Sequence, residues 1–97
     1  MTMLNLSGTI TSGGVAQTLS AARGGTPRKG WSVYNSSAAN LYVNDVGGTA
    51  SVSDGLSYLI VPGAMLSINP QSIESVSQGS ISIIGGTTGQ TFVAREW

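Results

Sequence analysis

A chain of 97 residues has room for one hydrophobic core, and with no Cys and no His it excludes disulfide staples, thiolate chemistry and the usual zinc or iron ligand sets. Only 8% of it is charged, the formal net charge is zero and 40% is hydrophobic, which argues against both a nucleic-acid binder and a disordered chain. No stretch approaches the ~20 apolar residues of a membrane-spanning helix. The start, Met1-Thr2-Met3-Leu4-Asn5, lacks the basic and long apolar regions of a secretory signal, so the chain is expected to fold in a cytosol.

Strand signals run from end to end. Residues 4–11 alternate apolar and polar, Ser12-Gly13-Gly14 supplies a turn, and residues 15–20 resume the alternation, so the two segments are predicted to form a β-hairpin. Residues 21–30 are a loop punctuated by glycines and Pro27. Trp31 to Asn35 is a strand with Trp31 and Val33 on one face and Trp31 in the core. After a turn at 36–39, Asn40 to Asn44 is a strand that carries Leu41 and Val43 together. A long loop follows over 45–57, with a short strand expected near Ala50-Ser51-Val52. Tyr58 to Val61 is an apolar strand, and the Pro62-Gly63 that follows has the signature of a type II turn. Ala64 to Ile68 is the next strand, ended by Asn69-Pro70, and Gln71 to Glu74 is expected to make one helical turn. Segments 75–77, 80–84 and 91–94 complete the strands, with residues 85–91 as a hairpin loop. Seven or eight short strands with turn signals roughly every 8–12 residues predict a single all-β domain over 1–97. The architecture expected is an antiparallel β-sandwich, jelly-roll-like, or a small barrel. Residues 1–6 also suit an extended N-terminal arm.

The chain offers little for catalysis. A serine nucleophile needs an adjacent base, and without His only Lys29 is present to serve. Gly85-Gly86-Thr87-Thr88-Gly89-Gln90-Thr91 has the glycines of a phosphate loop but neither its lysine nor a following helix. The carboxylates Asp45, Asp54, Glu74 and Glu96 are scattered, so no glycosidase pair is expected. Asn44, Asp45 and Asp54 have the oxygen ligands of a calcium loop, but in an Asx-rich turn such residues more simply bond the backbone. The expectation is a protein that is not an enzyme and holds no cofactor or metal.

What remains is interaction. Arg23, Arg28 and Lys29 gather three of the four cations within seven residues. Zero net charge and a single neighbouring aromatic argue against nucleic acid, and a salt-bridging loop at a protein interface fits better. Trp97 is either docked on its own domain or an anchor for a partner's pocket. A surface of Ser, Thr, Gly and Asn with little charge tends to associate with other protein.

Three stretches carry a family resemblance: Arg28-Lys29-Gly30-Trp31-Ser32-Val33-Tyr34-Asn35-Ser36-Ser37 leading into Leu41-Tyr42-Val43, then Val61-Pro62-Gly63, and Gly85 to Phe92 running into Arg95-Glu96-Trp97. Over residues 28–97 the chain resembles small β-structured virion proteins of tailed bacteriophages. The resemblance implies a non-enzymatic capsid decoration (cement) protein on the outer capsid surface of the virion, folded in the host cytoplasm. It implies a homo-oligomer, trimer or dimer, whose partner is the major capsid protein, with no nucleic acid and no membrane involved. Arg23, Arg28, Lys29, Arg95, Glu96 and Trp97 are then the candidate interface, and exposed sheet edges such as 80–84 are to be covered by neighbours. The alternatives are a tail or head-fibre accessory protein and, from another class, a small carbohydrate-binding module using Trp31, Tyr34, Tyr42 and Tyr58.

Overall fold

A computed structural model describes residues 3–53, 55–70 and 75–97. Among these, nine strands and no helix form two antiparallel sheets. The first contains β1 (Leu4–Asn5), β2 (Gly8–Thr9), β4 (Trp31–Asn35), β7 (Met65–Ile68) and β9 (Thr91–Glu96), in the order β1-β9-β4-β7 with β2 also on β9. The second contains β3 (Gln17–Ser20), β5 (Leu41–Asn44), β6 (Tyr58–Ile60) and β8 (Ile81–Gly85), in the order β3-β8-β5-β6. With β1 and β2 taken as one interrupted strand, this is the strand order of a jelly roll, a two-sheet sandwich and not a barrel.

Alternation explains the core. Trp31 and Val33 of β4, and Phe92 and Ala94 of β9, point inward from the first sheet. They meet Leu41 and Val43 of β5, Ile60 of β6, and Ile81 and Ile83 of β8 from the second. Strand β8 is buried on both faces, because the loop after β5 covers its outer side: the Ala50 amide donates to Ser82 Oγ at 2.9 Å.

Period-2 patterns marked most strands but not their partners. The segments 4–11 and 15–20 are not a hairpin: β1 and β2 pair with β9, whereas β3 pairs with β8 in the other sheet. The crossing occurs at Ile10, whose side chain is buried and whose amide donates to Gln90 O while its carbonyl accepts from Gly89. Gly13 then passes so close to Gly86 O that a Cβ there would lie 2.7 Å away. Residues 85–91 likewise join the two sheets instead of closing a hairpin. Neither 50–52 nor 75–77 is a strand. Strand β8 is central and not an edge, since β3 and β5 flank it. The type II turn is present, with Gly63 at φ +81° and the Ala64 amide bonded to Val61 O at 3.0 Å.

Residues 4–6 lie on their own domain: β1 pairs with β9 and the Leu6 amide donates to Ala94 O. The helical turn expected over 71–74 falls outside the described residues.

Candidate functional site

The six candidate residues gather around the C-terminal end of β9, and two of them face inward. In β9 the alternation that buries Phe92 and Ala94 also turns Glu96 into the sandwich. Arg28 reaches it from the loop before β4, with Nε donating to Glu96 Oε2 at 2.9 Å. Ser20 Oγ donates to the same oxygen at 2.8 Å, and Arg23 Nη1 donates to Oε1 at 2.8 Å. The other four N–H groups of Arg28 are also engaged. Nη1 donates to Ser77 O and Gly79 O, and Nη2 donates to Ala21 O and Ser20 Oγ. All five donors of the guanidinium therefore have acceptors. Gln78 clamps the same residue's backbone, accepting from the Arg28 amide at 2.6 Å and donating to its carbonyl at 2.7 Å.

Burial alone would raise the Glu96 pKa. The bonds from Ser20 and Arg28 and the charges of Arg28 and Arg23 outweigh it and hold the carboxyl below its ordinary value. Arg28 and Glu96 are 2% and 3% exposed, so as an interface they are corrected: a partner cannot reach them. They tie the ends of β3 and β9 to the loop at 77–79.

The remaining candidates lie outward or at the rim. Arg95 Nη1 donates to Asn5 Oδ1 and Ser7 Oγ at 2.7 and 2.9 Å, bracing β1 against β9. Lys29 is exposed, but its amide donates to Trp97 O at 2.6 Å. Trp97 is half-buried and docked on its own domain, paired through its backbone with Gly30. Its indole lies against Gly30, where a Cβ would come within 2.7 Å of Cζ2 and within 2.9 Å of Ile68 O. Only a glycine admits that approach.

The other sequence candidates are accounted for similarly. Asp45 is buried and accepts from Trp31 Nε1 at 3.2 Å, and Asn44 Oδ1 accepts from the amides of Val46 and Gly48. Asp54 lies outside the described residues, and among those described no three His, Cys, Asp or Glu side chains cluster. The 85–91 segment borders an open groove of about 340 Å³ with Ser37, Ala38 and Ala39. Gln90 floors it, donating to Ser37 Oγ, Ala39 O and Asn40 O. Among the described residues, no charged side chain lines that groove. Trp31 is fully buried, so it is not a platform for sugar, and Tyr34 and Tyr58 lie on different sheets.

Two exposed features escaped sequence reasoning. Met65, Tyr34 and Val93 stand side by side on the outer face of the first sheet, set by the registers Tyr34↔Met65 and Tyr34↔Val93. The other is the β6 edge, where Tyr58, Leu59 and the following Val61 are exposed. The signal for both was apolar residues in both phases of a strand, as in Phe92-Val93-Ala94.

Searches against family models, curated proteins and solved structures return no match to this chain.

Proposed function

We propose that this chain is a non-enzymatic structural protein of a bacteriophage virion, a capsid decoration protein that binds the outer shell as an oligomer and bridges major capsid subunits. The observation that carries the reading is where the charge goes. Among the described residues, Arg28, Glu96 and Asp45 are buried, and Arg23 and Arg95 are half-buried in contacts within the chain. Among the described residues Lys29 alone carries an exposed charge, and the rest of the outward surface is left to hydroxyls, glycines and apolar side chains such as Met65, Tyr34, Val93 and Leu59. A surface of this kind has little repulsion to keep copies apart and is suited to being covered. The jelly roll adds a weaker support by analogy, since capsid proteins use it, but the same fold serves lectins. Many weak contacts repeated over a shell convert modest affinity per copy into firm attachment.

The test is co-sedimentation with purified expanded capsids over a concentration series. The reading expects saturable binding at a fixed ratio of copies to capsid subunits. Absence from the capsid pellet at every concentration overturns it, and binding to tails instead moves the protein to the tail-accessory alternative.

A further inference from the structure

We propose that β6 is the self-association edge of this protein, pairing antiparallel with β6 of a second copy about a two-fold axis at Leu59. The proposal names the contact behind the oligomer of the preceding section and rests on that reading for the existence of an oligomer.

Exposed large apolar residues concentrate in the stretch of sequence that leads into and out of this strand. Val46, Val52, Leu56, Tyr58, Leu59 and Val61 all come from the segment 46–61. Strand β6 ends its sheet, paired on one side with β5 in the register Leu41↔Ile60, Tyr42↔Leu59 and Val43↔Tyr58. Among the described residues, no backbone group of another segment pairs with its other side; the Ile60 carbonyl accepts from the Asn35 side chain at 2.8 Å. The other edges are guarded. Strand β3 is bulged between Thr18 and Ser20, and its Gln17 side chain is held by the Thr9 carbonyl and the Thr11 amide. The β1/β2 edge is broken into two pieces of two residues each. On β7, Leu66 and Ser67 are half-buried and Ile68 is buried, so that edge is less open than β6.

Charge selects the occupant. In an isologous contact every group near the axis meets its own kind, so a charged edge repels its copy. Tyr58, Leu59, Ile60 and Val61 carry no charge, and none of the lysines or prolines that block edge pairing lies within the strand. With the axis at Leu59, that side chain meets its own symmetry mate, and Tyr58 lies opposite the partner's Ile60 position. The two four-stranded sheets become one continuous sheet of eight.

Because the chain has no cysteine, Leu59→Cys introduces a single thiol. Residues directly opposite in an antiparallel pair have Cα atoms about 4.5–5.5 Å apart, inside the roughly 4.4–6.8 Å that a disulfide spans. The experiment combines light scattering with mild oxidation. The wild type is expected at twice the 9.8 kDa chain mass, and Leu59→Cys to convert to a covalent dimer. Val46→Cys, at a site 71% exposed and outside the strand, is expected to remain uncrosslinked. Leu59→Lys is expected to run at 9.8 kDa with an unchanged far-UV circular dichroism spectrum. A wild type at 9.8 kDa, a folded Leu59→Lys that stays associated, or a Leu59→Cys that does not crosslink overturns the proposal. The two readings separate in the same samples. A Leu59→Lys oligomer that binds capsids defeats the edge assignment alone, whereas a Leu59-linked dimer that binds none supports the edge and defeats the capsid reading.

Discussion

Replacing Arg28 by Met tests whether the buried charge cluster organises this end of the sandwich. Met keeps most of the length of the aliphatic stem and removes the guanidinium. Glu96 then loses its Nε partner at 2.9 Å and keeps Ser20 and the half-buried Arg23. The carbonyls of Ser77, Gly79 and Ala21 lose their donors as well. The Arg28 side chain is 0% exposed, so water does not take over these bonds without opening the structure. Breaking one side of a buried ion pair costs about 3–5 kcal/mol, a large part of the ~5–15 kcal/mol that holds a domain of this size. At roughly 4–8 °C per kcal/mol, the melting temperature falls by at least about 12 °C. Urea unfolding, followed by circular dichroism, measures the loss. Arg28→Lys, which keeps the charge but not the five-donor fork, is expected to recover less than half of it. The double variant Arg28→Met/Glu96→Met is expected to be more stable than the sum of the single losses, because it leaves no carboxylate stranded. A loss below about 1 kcal/mol for Arg28→Met, the value of an exposed pair, refutes the reasoning.

Further outcomes follow from the same contacts. Because the Glu96 pKa is lowered on folding, its contribution is fully present above the ordinary value of 4.5 and is lost as pH falls through the lower folded value. Urea midpoints are therefore expected to drop on going below pH 4.5, and Glu96→Gln to flatten that drop; an equal slope in the variant contradicts the assignment. Gly30→Ala is expected to cost about 1–3 kcal/mol by overpacking against Trp97 and the Ile68 carbonyl, and to shift the Trp97 fluorescence. An unchanged midpoint and spectrum contradict the close approach. Trp31→Phe removes the donor to buried Asp45 and is expected to cost about 1–3 kcal/mol in the same urea assay.

The sequence was most legible where one face decides everything. Trp31, Val33, Leu41 and Val43 announced the core by alternation, and Pro62-Gly63 announced its turn, because both signals are local. Partners were not legible. Alternation tells inward from outward but not which sheet a strand joins, so segments separated by Ser12-Gly13-Gly14 looked like a hairpin although they belong to opposite layers. The site was misread for a related reason. Three cations in seven residues look like a salt-bridging loop at a protein interface, and the acceptors that bury Arg28 lie 49, 51 and 68 residues away at Ser77, Gly79 and Glu96. One clue was available: Glu96 stands in phase with Phe92 and Ala94, so a carboxylate was due to face inward and to require a cation there.

The most direct test of the capsid reading is the melting temperature of expanded capsids with and without saturating amounts of this protein. The account predicts a higher melting temperature for the decorated shells, reached at the same ratio as saturation of binding. Shells that carry the bound protein and melt where bare shells do contradict it.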